Sequence, residues 1–219
     1  MKMIKWGDHL VNLFVVILGI TIAFGLNNWK ESRDQKKLEI SYLKNINNEL
    51  KEDLSSMKSN IQRDSILLAN LNVFLNAIPP ISDDSINTIF SSLFSITLFI
   101  PNNLTFESMK ASGKFDYITK LETRNAIIDL YHNQYRGISE SENYFRDNLD
   151  KKIIPFIMEN SDFENDNLSA ELFPRNNKKF NNMLLIHRSM VQLKMNHILS
   201  SIEKGEKLVQ IIENNIDEL

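Results

Sequence analysis

Four histidines, His9, His132, His187 and His197, are the first side chains to weigh for chemistry, since imidazole serves as general base or metal ligand. No two of them stand at metal-ligand spacing, and no metal is expected. His187 falls on an apolar helical stripe, where a hydrogen-bonded core histidine is the expected role. The acidic run Asp162-Phe163-Glu164-Asn165-Asp166-Asn167 has the alternating oxygens of a calcium loop. Its sixth position is Asn167 where Gly is needed and its twelfth is Phe173 where Glu is needed, so it reads as a solvated loop. The six glycines form no phosphate-cradling pattern, and G-x-S-x-G is absent. The chain has no cysteine, which removes disulfides, thiol catalysis and thiolate metal sites together. Tyr131, His132 and Tyr135 share one helix, and with Phe115 and Tyr117 they form either a pocket lining or an aromatic core. No catalytic constellation emerges, and neither an enzyme nor a cofactor is expected.

The elements that would position these groups start with an apolar stretch, Leu10–Trp29. Leu10 to Leu26 carries no charge, and the two tryptophans, Trp6 and Trp29, bracket the run. As a helix it sets the two rings roughly 34 Å apart, close to the ~30 Å of a bilayer core. A membrane-spanning helix with Trp6 and Trp29 as interface anchors is therefore expected. The competing readings are a cleaved signal, which Asn12 and Asp8 disfavour, and a buried core helix, which would show a polar face. Asn12, Val16, Gly19 and Ala23, with Leu26, fall on one stripe, and Gly19-x-x-x-Ala23 is a small-xxx-small pair suited to helix pairing.

Size and charge bound the rest. The 219 residues are 42% hydrophobic and 24% charged with a net charge of −3, which is globular and lacks the basic excess of a nucleic-acid binder. Residues 1–29 are expected to be tail and anchor, and residues 30–219 a helical bundle.

A charged stretch, KESRDQKK, leads into a stripe of Leu43, Ile46, Leu50, Leu54, Met57, Ile61, Leu68, Leu71 and Leu75, spaced by three, four or seven. This predicts a rod over 30–77, continuous with the anchor and stopped by Pro79-Pro80. A second helix is expected at 83–98 with Ile86, Ile89, Phe90, Leu93, Phe94 and Thr97 inward, and a third at 106–112 capped by Thr105 and ended by Gly113. Thr119-x-x-Glu122 and Ser139-x-x-Glu142 have capping-box spacing, with Gly137 closing the helix between them and Pro155 disturbing the one after. Glu140 and Glu142 would then be first-turn charges that suit the helix dipole. A loop is expected at 160–175 and a last helix at 177–217, antiparallel to the first, with Phe180, Leu184, His187, Val191, Ile198, Ile202, Gly205, Val209, Ile212 and Ile216 inward. The fold class is all-α: two long antiparallel helices with shorter ones between, forming a head over about 82–175.

The anchor LFVVILGITIAFGLNNWKE, the segment YLKNINNELKEDL and TFESMKASGKFDYITKLETRNAIIDLYHNQY together resemble a bacterial family of single-span membrane proteins with no assigned activity. The family's anchor ends in Asn-Asn-Trp, here Asn27-Asn28-Trp29, and its Ser-Gly-Lys turn is here Ser112-Gly113-Lys114. The following Leu-Arg-Asn helix start reads Thr123-Arg124-Asn125. The resemblance covers most of residues 10–136 and implies a bacterial inner-membrane location with the bundle in the periplasm. Counting the flanking bases alone, Lys2 and Lys5 against Lys30, Arg33, Lys36 and Lys37, favours the opposite orientation. The expected function is that of a membrane-anchored helical scaffold, its partners the lipid bilayer and either its own copies or a membrane or envelope protein. The alternative is an extracytoplasmic ligand-sensing bundle with its pocket at Phe115, Tyr117, Tyr131 and Tyr135.

Overall fold

In the computed structural model, residues 6–76, 83–160 and 178–219 are described. The side chains of residues 6–9 and 83–86, Trp6 and Ile86 among them, lie outside that description. So do Pro79-Pro80 and nearly all of the acidic run and loop expected at 160–175.

The described residues are all-α, without a strand. Helix α1 runs unbroken from Trp6 to Asn76, 71 residues or roughly 105 Å. The apolar run and the rod are thus one helix, as the absence of Gly-Pro punctuation between them requires. From Leu43 on, its stripe is covered: Leu43, Ile46, Leu50, Leu54, Met57 and Leu71 are buried, and Ile61, Leu68 and Leu75 pack at the core's edge. Helix α7, Lys178–Glu218, lies antiparallel along it. Lys51 pairs with Glu213, Lys58 with Glu206, and Arg188 with Asn72, so the partner number falls as the residue number rises. Gly205 of α7 faces α1 at a tight contact. A Cβ there would stand 3.0 Å from Leu54 Cδ2 and 3.4 Å from Leu50 Cδ1.

Between the long helices come α2 (Asp83–Phe94), α3 (Leu104–Ser112), α4 (Leu121–Ile128), α5 (Tyr135–Asn148) and α6 (Ile154–Asn160). Gly113 ends α3 in the left-handed conformation at φ 65°, as expected of a C-terminal glycine.

The expected caps do not form. The first residue of α3 is Leu104, and Thr105 hydrogen-bonds Glu49 instead. Thr119 gives both its amide and its hydroxyl to Glu39, which leaves Lys120 at the start of α4 with no side-chain cap. Ser139 and Glu142 lie inside α5, and Gly137 does not close a helix. Gly137 instead admits His197, whose Nδ1 would be 3.0 Å from an added Cβ. Helix α2 stops at Phe94, four residues short of the expected end, because Thr97 and Phe99 are drawn into the core by other elements. Wide π turns at Asp129–Gln134 and Leu149–Ile153 join α4 to α5 and α5 to α6. The second precedes Pro155, whose ring and missing N–H disturb the regular ladder there without ending the helix.

Two apolar clusters fill the bundle. One gathers Leu67, Leu71, Ile89, Phe145, Phe156, Phe180 and Leu184. The other, nearer the exposed part of α1, gathers Leu43, Leu50, Phe106, Ile127, Tyr135, Ile198 and Ile212. Ile61 touches both.

Candidate functional site

At the boundary of the two clusters each of four chain segments contributes one polar side chain. They are Asp64 of α1, Thr97 of the non-helical segment 95–103, Glu142 of α5 and Lys194 of α7, all buried. Lys194 Nζ lies 2.8 Å from Asp64 Oδ1, and donates to the Thr97 carbonyl at 2.9 Å and to Thr97 Oγ1 at 3.1 Å. Thr97 Oγ1 in turn donates to Asp64 Oδ1 at 2.8 Å. All three ammonium protons have an acceptor, which a fully buried lysine requires. The same ammonium lies 5.0 Å from the centre of the Phe145 ring. Glu142 accepts the Phe99 amide at 2.8 Å, and burial raises its carboxyl above the ordinary range despite that bond.

These contacts belong to a longer arrangement. Segment 95–103 and the start of α3 form a strap across the bundle, and carboxylates hold its backbone. Asp53 accepts the Asn102 amide at 2.8 Å, and Glu49 accepts the Thr105 amide and hydroxyl. Farther along, Glu39 accepts from Thr119. Extended backbone lacks the internal acceptors of a helix, so α1 supplies them to Asn102 and Thr105 and α5 to Phe99. Asp53 also takes the Tyr135 hydroxyl at 2.8 Å, and burial pushes its carboxyl up to about 6.

Burial alternates along the strap. Thr97 and Phe99 point in, whereas Ile96, Leu98 and Ile100 are exposed, Ile100 at 82%. That is the period of an extended chain with one covered face. Leu104, 75% exposed, carries the apolar line into α3. The strap thus presents a rigidly backed apolar ridge to solvent.

The residues singled out in the sequence fall in two places. Tyr131 and Tyr135 are buried, their rings 5.1 Å apart, with Phe106 stacked on Tyr131 at 4.7 Å and Phe99 edge-on to Tyr135 at 4.9 Å. Phe106 also meets Phe115 at 5.3 Å and so takes up the room between Phe115 and Tyr131. Tyr117 lies farther out against Tyr42, with the Lys114 ammonium over its ring. Phe99, Phe106, Tyr131 and Tyr135 pack on one another as core, Phe115 packs against it half-buried, and half-buried Tyr117 stands apart from them. His187 is fully buried against Phe145, with Asn148 Nδ2 3.3 Å from its Nδ1, and burial lowers its pKa to about 4.

Asn12, Val16, Gly19 and Ala23 all lie exposed on the free part of α1, and an added Cβ at Gly19 meets nothing within 4 Å. Leu10 to Leu38 is uncovered by the rest of the chain throughout. Thr21 returns its hydroxyl to the Ile17 carbonyl, which hides the one hydroxyl of the run. Trp29 is exposed, with the Arg33 guanidinium 5.6 Å from its ring centre.

Sequence reasoning missed the buried polar layer, although a trace of it is present. Each long stripe contains one seven-residue step, Ile61 to Leu68 and Val191 to Ile198, and the positions skipped hold Asp64 and Lys194.

Fold and surface together define an all-α bundle built on one long helix whose N-terminal part is apolar and bare. Residues 12–155 match a family of unknown function, DUF6090, and the chain belongs to that family. No curated protein and no solved structure matches the chain.

Proposed function

We propose that this protein is a non-enzymatic, single-span membrane-anchored scaffold whose bundle presents the strap ridge to a protein partner or to a second copy. One observation carries the reading. The run Leu10–Leu26 is long and apolar enough to cross a bilayer, is uncovered by its own chain, and is continuous with the helix that carries the bundle's core. A soluble core helix would be covered, whereas an uncovered apolar helix of this length suits a lipid surround. The bundle then stands off the bilayer on α1. Its first covered residue, Glu39, lies ten residues beyond Trp29, or roughly 15 Å. The inner membrane of a bacterium, with the bundle on the periplasmic side, is the location the family resemblance favours.

The ridge Ile96, Leu98, Ile100 and Leu104 supports the presentation half of the reading. It is apolar, exposed, and fixed from behind by Asp53, Asp64, Glu49 and Glu142. A photo-reactive residue placed at Ile100 of the full chain in native membranes should give one discrete cross-linked species. The same group at Ser55, exposed on α1, should give none. Equal, diffuse adducts from both positions would contradict a specific partner at the ridge.

A further inference from the structure

We propose that the two turns of α1 that follow Trp29 form a binding face for the anionic headgroups of phospholipids, an inference that rests on α1 crossing a bilayer. The helix passes unbroken from the apolar run through Lys37, and residues 30–38 are exposed on every side. Lys30 and Arg33 lie within about 6 Å of Trp29 along the axis, at headgroup depth, and Lys36 and Lys37 follow at about 10–12 Å. The charges are sorted around the helix. At about 100° per residue, Arg33 and Lys36 fall within about 40° of the Trp29 direction, and Lys37 and Lys30 within about 100°. Asp34, Glu31 and Gln35 occupy the other half of the circumference.

Contacts agree with this sorting. Arg33 holds its guanidinium 5.6 Å from the Trp29 ring centre, at the depth of an interfacial tryptophan. The pairing that Lys37 makes with Asp34 is loose, at 4.0 Å between exposed groups. A guanidinium matches a phosphate with two parallel N–H bonds, and the lysines add point charges within a screening length of the surface. Zwitterionic lipids carry their own ammonium beside the phosphate, so the excess of bases selects lipids with net negative charge. Each base in reach favours such a lipid about fivefold.

The test uses the full chain with Trp6→Phe, which leaves Trp29 as the one tryptophan. It is reconstituted in phosphatidylcholine vesicles, with and without phosphatidylglycerol, that carry trace dansyl-headgroup lipid of either charge class. Energy transfer from Trp29 to the anionic probe should exceed that to the zwitterionic probe several-fold. The excess should decline with added salt, vanish in Arg33→Gln/Lys36→Gln/Lys37→Gln, and persist in Glu31→Gln/Asp34→Asn. Equal transfer to both probes while the protein floats with both vesicles would overturn the lipid face and leave the anchor standing. Failure to float with either vesicle would overturn the anchor and this face with it.

Discussion

Lys194 and Asp64 are the residues on which the interior depends most. Both are buried: Lys194 and Thr97 share Asp64 Oδ1, which leaves Asp64 Oδ2 without a hydrogen-bond partner, so the carboxylate depends on the Lys194 charge beside it. Replacing Lys194 with Met strands a buried carboxylate and should lower stability by about 3–5 kcal/mol. Lys194→Met with Asp64→Leu should recover much of that loss, because removing both charges removes the stranded one. Urea unfolding of the full chain in mild detergent measures both, and a double variant as weak as the single would contradict the pairing argument. Two other buried groups set opposing acid responses. Unfolded His187 takes its proton near 6.5 and folded His187 only near 4, so between those values the unfolded chain binds more protons. Its contribution is intact above pH 6.5 and is lost as pH falls toward 4, on the order of 3 kcal/mol. Asp53 has the reverse sign: its folded carboxyl titrates near 6 against 3.8 unfolded, so acidification between those values favours the fold. Acid loss of stability should therefore be shallower in His187→Phe and steeper in Asp53→Asn than in the parent chain.

Among the elements, the two long helices were legible from their spacing. Stripes at steps of three and four foretold both α1 and α7, and the antiparallel return followed from their matched lengths. The strap was not legible. Thr105, Thr119, Ser139 and Glu142 have the types and spacing of helix caps, and local rules assign them so. Tertiary demand overrode those rules: the strap's amides needed acceptors, with Glu49, Asp53 and Glu142 in reach, and Glu39 likewise took the Thr119 amide. Carboxylates among lysines on a helix look solvated in sequence, since nothing local shows which face a distant segment will cover. Only the skipped steps at Asp64 and Lys194 carried a signal. In the contact of α1 with α7 at Gly205, Leu54 and Leu50 occupy the space of a side chain. Gly205→Leu should therefore cost about 1–3 kcal/mol by overpacking, although leucine is the better helix former. A neutral or stabilising result in the same unfolding assay would mean that the helices separate easily there.

At the scale of the whole molecule, α1 joins a bare apolar run to the bundle core, and on the proposed reading it is at once anchor, stalk and core helix. Helix α7 brings the C-terminus back beside it: Glu218 pairs with Lys120, and Leu219 packs in the cluster that contains Leu43. On that reading, anything seated on the strap ridge is joined to the bilayer through α1, whose Glu49, Asp53 and Asp64 hold the strap from behind. The chain's lack of cysteine makes this arrangement directly measurable, since any cysteine introduced is unique. Single variants Met3→Cys, Ile17→Cys, Ser32→Cys and Asp217→Cys in sealed membrane vesicles are treated with a membrane-impermeant maleimide, before and after lysis. The account predicts that Ile17→Cys resists labelling in both conditions, that Ser32→Cys and Asp217→Cys label from one side together, and that Met3→Cys labels only from the other. Labelling of Met3→Cys and Ser32→Cys from the same side, with Ile17→Cys reactive, would contradict it.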